Sequence, residues 1–538
     1  MSQPAETTSA KAVATTQPGL PSPQRSPLME LLAIAIPTVA TMTSYTLMTF
    51  VDKLMVSRIG PDPVYVGAQG NGGITSWVAV SIVFGALTVV NTFVSQNFGA
   101  GRADRAPAYA WNGVWLAVVM WVVLILPYAA ILPTVYAAVR DTSLPPDALA
   151  DVMRRDKMAI SFAQILLVGS IITMARQAIG QFFYGMHRPS IMLVAGVAGN
   201  ITNFVLNSML IYGAAGPTRG TGTGLLDTAI NSWFAIASSV AATLHIPALG
   251  VTGAAIGTVL GTVVEFAVML VVFLSPKYNA KFATRTGWRP SWTHLKDIFR
   301  LGWAPGLMFG NEMVCWGLFM VYFVGHFGAQ HSTAGFIAHQ WMSLSFMPSV
   351  GISVAVTAVV GKCMGMGRPD LAAQRARLGL GLSMAYMGIC ALCFIIFRHW
   401  LVGVFIDPQT APEVAAEVLR LGSSFLILTA VFQIFDAIAM TLSGALRGAG
   451  DTTYVGVVTV FSSWIVIVGG GWVAIHYFPQ FESAGPWAAA ALYIITLSAF
   501  ILARFLAGKW KSIRLVRDAQ HPGAEPLATA GSVADGVL

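Results

Sequence analysis

Twelve apolar stretches, each long enough to cross a bilayer, run along this chain in two sets of six. The first set lies near 31–56, 72–96, 108–134, 158–184, 190–213 and 249–274; the second near 298–326, 335–361, 376–404, 416–444, 453–477 and 486–508. A run of about 18 or more residues with almost no charge reads as a transmembrane helix. Only 10% of the 538 residues are charged and mean hydropathy is +0.69, whereas soluble proteins are roughly 25% charged. The expected fold is therefore an all-α membrane protein with twelve transmembrane helices, not the three or four soluble domains that length alone suggests.

The two sets repeat one another. Val94-Ser-Gln-Asn-Phe-Gly-Ala-Gly-Arg-Ala-Asp104 matches Val360-Gly-Lys-Cys-Met-Gly-Met-Gly-Arg-Pro-Asp370 at an offset of 266, and Pro37, Gly60 and Gly67 match Pro305, Gly328 and Gly335 at 268. Because each set holds an even number of spans, both enter the membrane from the same side. The repeat is a parallel pseudo-two-fold, as in secondary transporters. The expected units are a disordered tail 1–27, a lobe 28–274, a linker 275–297, a second lobe 298–510 and a tail 511–538.

Charge sets the orientation. Lys and Arg gather in the linker (Lys277, Lys281, Arg285, Arg289, Lys296) and in connections on the same side, such as those holding Arg102, Arg188, Lys362, Arg368 and Arg447. The positive-inside rule then puts both termini in the cytoplasm. The net charge of +8 is spread over these flanks rather than concentrated in a nucleic-acid patch. The first span is too long, and wrongly flanked, for a signal peptide. Residues 214–248 fall outside, with an apolar stretch from Trp233 to Val240 that reads as an interfacial helix. Cys390 and Cys393 lie inside an apolar helix and read as packing, since reactive thiols need an accessible, electropositive site. Gly253, Gly257 and Gly261 form a small-xxx-small face for close helix approach. Pro37 and Pro305 bend equivalent spans, either as fixed kinks or as gating bends. His326 and His331 read as an external turn with no third ligand, so no metal site and no cofactor is expected.

The informative residues are acids inside spans, each costing about 2.5–3.5 kcal/mol at a helix centre. Glu312 and Asp436 lie mid-span, and Asp52 lies toward the outer end of the first span. The repeat sets Glu312 opposite Ser44, Asp52 opposite Met320 and Asp436 opposite Thr173, so the shared scaffold requires none of the three. For Asp52 two readings stand: an interfacial residue paired with Lys53 or Arg58, or an inward-facing acid. Arg176 and Glu265 read as a buried structural pair. Asn203 and Asn207 share a helix face at i and i+4, serving either as hydrogen-bonding glue between helices or as oxygen ligands beside a carboxylate. A buried carboxyl can hold a proton, a Na⁺ or an organic cation, but not all at once, which supports antiport by competition. Trp316, Phe432 and Phe435 could line a substrate cavity and add cation–π contacts.

Taken together, Pro37…Asp52…Gly60, Ser95-Gln-x-x-Gly-Ala-Gly-Arg102, Leu446-Arg-Gly-Ala-Gly-Asp-Thr452, Glu312 and Asp436 resemble the MATE (multidrug and toxic compound extrusion) family over about residues 28–510. The resemblance points to its NorM-like branch. It implies two six-helix lobes around a cavity, and export of amphipathic, cationic compounds in exchange for H⁺ or Na⁺ by a monomer in contact with membrane lipids. It implies an N-lobe cation site at Asp52, Asn203, Asn207 and Thr258, and a C-lobe site at Glu312 and Asp436. Two positions depart from the pattern: Asn207 stands where some members carry a second acid, and Phe432 where some carry a tyrosine. Two alternatives are a lipid-linked precursor flippase of the same superfamily, whose cavity should be cationic, and a membrane-embedded enzyme, for which the spans lack clustered His, Asp or Ser chemistry.

Overall fold

The computed structural model of the chain describes residues 26–60, 62, 64–140, 142–143, 145–217, 225–406 and 411–516. The expected N-terminal tail and most of the C-terminal one lie outside these. Among the described residues twelve helices are long and apolar enough to cross a membrane: α1 Pro27–Val56, α2 Val64–Gly99, α3 Ala106–Val139, α4 Pro146–Gly185, α5 Pro189–Leu210, α6 Val251–Leu274, α7 Trp292–Phe327, α8 Ala329–Gly365, α9 Pro369–Ile396, α10 Pro412–Ala449, α11 Thr452–Tyr477 and α12 Ala484–Ala507. The fold is all-α. Large apolar side chains such as Ile36, Leu47, Val123, Val271 and Ile465 are more than 60% exposed, as expected of a surface that meets lipid rather than water.

Local chemistry explains the boundaries. Pro27, Pro146, Pro189, Pro369 and Pro412 stand in the first turn of their helices, where the missing N–H costs nothing. Gly450 and Gly508 end α10 and α12 in the left-handed region, at φ 98° and 71°. Helix α4 begins well before the apolar window that predicted it. Its extra turns carry Asp156, paired with Arg140 at 3.1 Å and Arg155 at 3.3 Å, and Arg154, paired with Asp62 at 2.9 Å. Between α5 and α6 a helix, Leu225–Thr243, packs on the end of α5 through Trp233, which stacks on Phe204 at 5.6 Å.

Each half has its own apolar core, but the first helix of each half crosses over. Leu31, Ile34 and Ala35 at the start of α1 are buried in the core of α8–α10, whereas Met55 and Val56 at its far end pack with α4, α5 and α6. In the same way Ile298 of α7 is buried in the core of the first half, and Phe319, Met320 and Val324 in that of the second. Pro37 and Pro305 lie inside these helices just after the crossover. Glycines allow the crossings. A Cβ on Gly85 would lie 2.5 Å from the Pro305 carbonyl oxygen, and one on Gly351, at the repeat offset, 2.9 Å from Val39.

At the end of the bundle that carries both termini, the two copies of the repeated motif seal against each other. Gly99, Gly361 and Gly365 leave no room for a side chain against Lys362, Ser95 and Gln96. Thr92 donates to the Arg447 carbonyl at 2.9 Å and Gln96 to that of Gly448 at 3.0 Å. Glu30 of α1 takes Lys362 at 2.8 Å and Arg375 at 3.2 Å. His187, in the turn between α4 and α5, joins this seal, its Nε2 lying 3.2 Å from the Ala358 carbonyl. That contact is a hydrogen bond only when Nε2 carries the proton. Burial, and then the charge of Lys362, pushes this imidazole down to about 4. Its contribution to stability is therefore complete above the ordinary histidine value of about 6.5 and is lost as pH falls toward 4. We expect the melting temperature of His187→Asn, measured by scanning fluorimetry in detergent, to fall less between pH 7 and pH 4.5 than that of the wild type. Parallel curves would refute this.

Candidate functional site: two sets of intramembrane carboxylates

The first set lies between α1, α5 and α6. Their approach depends on the predicted glycine face: Gly253 meets the Leu210 carbonyl, Gly257 the Asn207 side chain, and Gly261 the Gly199 carbonyl oxygen and Asn203. The four residues expected to form one site are joined in a hydrogen-bonded chain. Asn207 Nδ2 donates to Asp52 Oδ1 at 2.8 Å and to Asn203 Oδ1 at 3.0 Å, and Asn203 Nδ2 donates to Thr258 Oγ1 at 3.3 Å. Asn207 is fully buried, and its own Oδ1 has no hydrogen-bond partner among the described residues. Asp52 thus faces inward, while Lys53, one of its two alternative partners, is exposed. Of the two roles the sequence left open for the asparagines, the hydrogen bonds seen here are those of glue: they tie α5 to α1 and to α6.

One layer further into α1 lies the expected buried pair. Arg176 Nη1 reaches Glu265 Oε1 at 2.8 Å, and both residues bond the Tyr45 hydroxyl. Tyr45 was not anticipated; its i, i+7 spacing from Asp52 was the available signal.

The second set lies in the other half. Asp436 of α10 is 8% exposed and Glu312 of α7 is half-buried, and the two are near enough to interact electrostatically. Neither makes an ion pair or a hydrogen bond among the described residues. Arg447 acts on Glu312 through space without pairing with it. Polar neighbours are already committed to each other. Asn311 donates to Ser463 at 2.7 Å and accepts from Trp464 at 2.7 Å, and Gln433 donates to Ser345 at 2.8 Å. Ser463 and Trp464 belong to a widened, π-helical turn of α11, Ser463–Gly469, a device often found at functional sites.

The aromatic expectation needs correction at one position. Phe432 is 1% exposed and part of the apolar core, so it does not line a cavity in this conformation. Trp316 and Phe435 are only partly buried and pack on that core. The histidine expectation also changes. His331 lies in the first turns of α8, buried, and the fold brings Glu417 and Glu482 to it, with donor atoms within 4.8 Å of one another. These carboxylates come from distant segments, and His326 is not part of the group. The space between the carboxylates is taken by Arg420, which bonds Glu417 at 2.6 Å and 2.9 Å and Glu482 at 3.4 Å. Arg420, a tethered cation, thus compensates one of the two carboxylate charges in this cluster.

The family model MatE matches residues 37–209 and 311–472, more than half of the chain. The chain belongs to the MatE family. The matched segments hold Asp52, Asn203, Asn207, Glu312 and Asp436. Among relatives, it is 26% identical over 501 residues to the probable multidrug resistance protein NorM of Pseudomonas syringae pv. tomato, covering 92% of this chain and 97% of that protein. It is 28% identical over 457 residues to the probable multidrug resistance protein NorM of Pseudomonas putida, covering 83% and 87%. A solved MATE structure in complex with MaL6 has the same fold, with a TM-score of 0.73 at 18% identity, covering 91% of this chain and 98% of that one.

Proposed function

We propose that this MatE protein is an ion-coupled efflux antiporter of the bacterial inner membrane, with both termini cytoplasmic. It exports amphipathic, cationic organic compounds as a monomer, by alternating access between its two halves. One observation carries this reading: the buried and half-buried acids of the bundle divide into paired and unpaired. Glu30 is held by Lys362 and Arg375, Asp156 by Arg140, Glu265 by Arg176 and Asp451 by Arg504 at 2.7 Å. Asp52, Glu312 and Asp436 have no ion-pair partner among the described residues. A carboxylate left without a fixed cation inside an apolar bundle is costly, and a visiting proton, metal cation or organic cation relieves that cost. The multidrug names of the relatives support the same class of cargo.

In this reading Glu312 and Asp436 bind the organic cation and the coupling ion in competition, and Asp52 with Asn203, Asn207 and Thr258 holds a coupling ion in the first half. The amide at Asn207 gives that set one formal negative charge. A single charge suits a proton better than a Na⁺ that must be stripped of water. We therefore expect an inward proton gradient to drive export of a cationic dye such as ethidium from proteoliposomes, and a Na⁺ gradient at clamped pH to drive little. Full-rate export on Na⁺ alone would overturn the proton assignment. No gradient-dependent export of any cation in a broad panel would overturn the transport reading.

A further inference from the structure

The layer below Asp52 has a geometry that a plain structural ion pair does not require. Tyr45 and Asp52 are seven residues apart on α1, two helical turns or about 10 Å, and so lie on one face. Thr258 and Glu265 are seven apart on α6 in the same way. The three helices therefore carry two stacked polar layers in one register. The outer layer is Asp52–Asn207–Asn203–Thr258. The inner layer is Tyr45–Glu265–Arg176, which adds α4. Arg176 also lies 5.2 Å from the centre of the Tyr45 ring. Asn200 closes the level from α5, donating to the Ser44 carbonyl at 3.1 Å. Gly199 lets Glu265 come close to α5; a Cβ there would lie 2.9 Å from that of Glu265.

Its place along α1 gives this layer its meaning. Up to Ala35 the helix is buried in the other half's core. Pro37 then removes one backbone hydrogen bond. Tyr45 lies just beyond, and its hydroxyl ties α1 back to α4 and α6 of its own half. α1, like α7, has one end in each half, so it must bend between these points when the halves move relative to each other. Whatever holds Tyr45 decides whether that bend reaches Asp52.

We propose that Tyr45, Glu265 and Arg176 form a positioning clamp that holds the outer half of α1 in register, and so sets the distance of the Asp52 carboxylate from Asn203 and Asn207. These are positioning residues: none touches the coupling ion. The proposal rests on the reading of Asp52 as an ion-coupling acid. The clamp differs from the other buried pairs in that its third member, a neutral phenol, can be changed without leaving a charge unpaired.

That property supplies the test. In Tyr45→Phe the ring stays over Arg176 and the Arg176–Glu265 pair stays intact, while the tie to α1 is cut. Ethidium efflux from proteoliposomes of the full chain would be measured against proton concentration without Na⁺, and against Na⁺ at clamped pH. For whichever ion drives the wild type, the half-saturating concentration should rise about tenfold, the usual scale when a group that orients a ligand residue is removed. The rate at saturating ion should stay within about twofold, because the export path is untouched. Glu265→Gln should shift it further. If that variant does not fold, Tyr45→Phe decides alone. A folded Tyr45→Phe with wild-type half-saturation, whatever its melting temperature, overturns the clamp. Asp52→Asn separates the two ideas. If it keeps wild-type ion dependence, the coupling role of Asp52 fails, and the clamp with it. If it loses that dependence while Tyr45→Phe is silent, only the clamp fails.

Discussion

Glu312→Gln and Asp436→Asn are each expected to cut efflux of a cationic dye by at least about 10- to 100-fold, since groups that only orient an ion's ligands are already worth that much, while leaving the protein as stable as the wild type or more so. The second half of this expectation is the discriminating one. A buried carboxylate without a partner destabilises the fold, so replacing it with its amide removes a cost. The paired acids should behave in the opposite way. Asp451→Asn strands Arg504, and losing one member of a buried pair costs about 3–5 kcal/mol. Dye efflux from cells at matched expression, with melting curves of the purified variants, measures both effects. Normal efflux in both the Glu312 and Asp436 variants would remove these residues from the mechanism. A sharp loss of stability would mean that they hold the fold together.

The second large effect concerns the seal at the terminal end. Gly365→Ala places a methyl group against the Gln96 carbonyl, and Gly99→Ala places one against that of Lys362. Both obstacles are backbone atoms of the opposite half, so neither can swing aside. Overpacking of this kind costs about 1–3 kcal/mol, and the cost falls on the sealed state alone. At about 1.4 kcal/mol per factor of ten, the balance between sealed and unsealed states should shift about 5- to 150-fold toward the unsealed one. A natural probe is in place: Cys363 on α8, 4% exposed and inside the seal. With Cys315, Cys390 and Cys393 replaced by Ala, labelling of Cys363 by a water-soluble maleimide should speed up strongly in either glycine variant, and dye efflux should drop. Unchanged labelling and unchanged efflux would show that this contact does not open during transport.

Much of the architecture was legible because hydropathy and helix-breaking residues act locally. All twelve spans stand where apolar runs predicted them, with α4 longer because charged helical turns such as those around Asp156 are invisible to an apolar window. The glycine face of α6 and the Arg176–Glu265 pair were legible for the same kind of reason: spacing of small residues in one case, two opposite charges that lipid cannot solvate in the other. Motif identity also showed that residues 94–104 and 360–370 matter, though not that they matter by touching each other.

What a one-dimensional reading could not reach is which charges meet. Asp451 and Asp156 are as buried as Asp436, yet the fold gives each an arginine from elsewhere in the chain, as it gives Arg420 to the carboxylates around His331. Partner choice depends on helices separated by tens to hundreds of residues, and sequence spacing carries no information about it. The crossing of α1 and α7 into opposite cores, and the tie from Tyr45 back to Glu265, are settled the same way. The sequence by itself determined that this chain lies in a membrane as two similar sets of six helices carrying acids where lipid penalises them. Only the tertiary structure decided which of those acids are left without a cation, because charge compensation in a medium of low dielectric acts through space, and the chain alone does not specify that space.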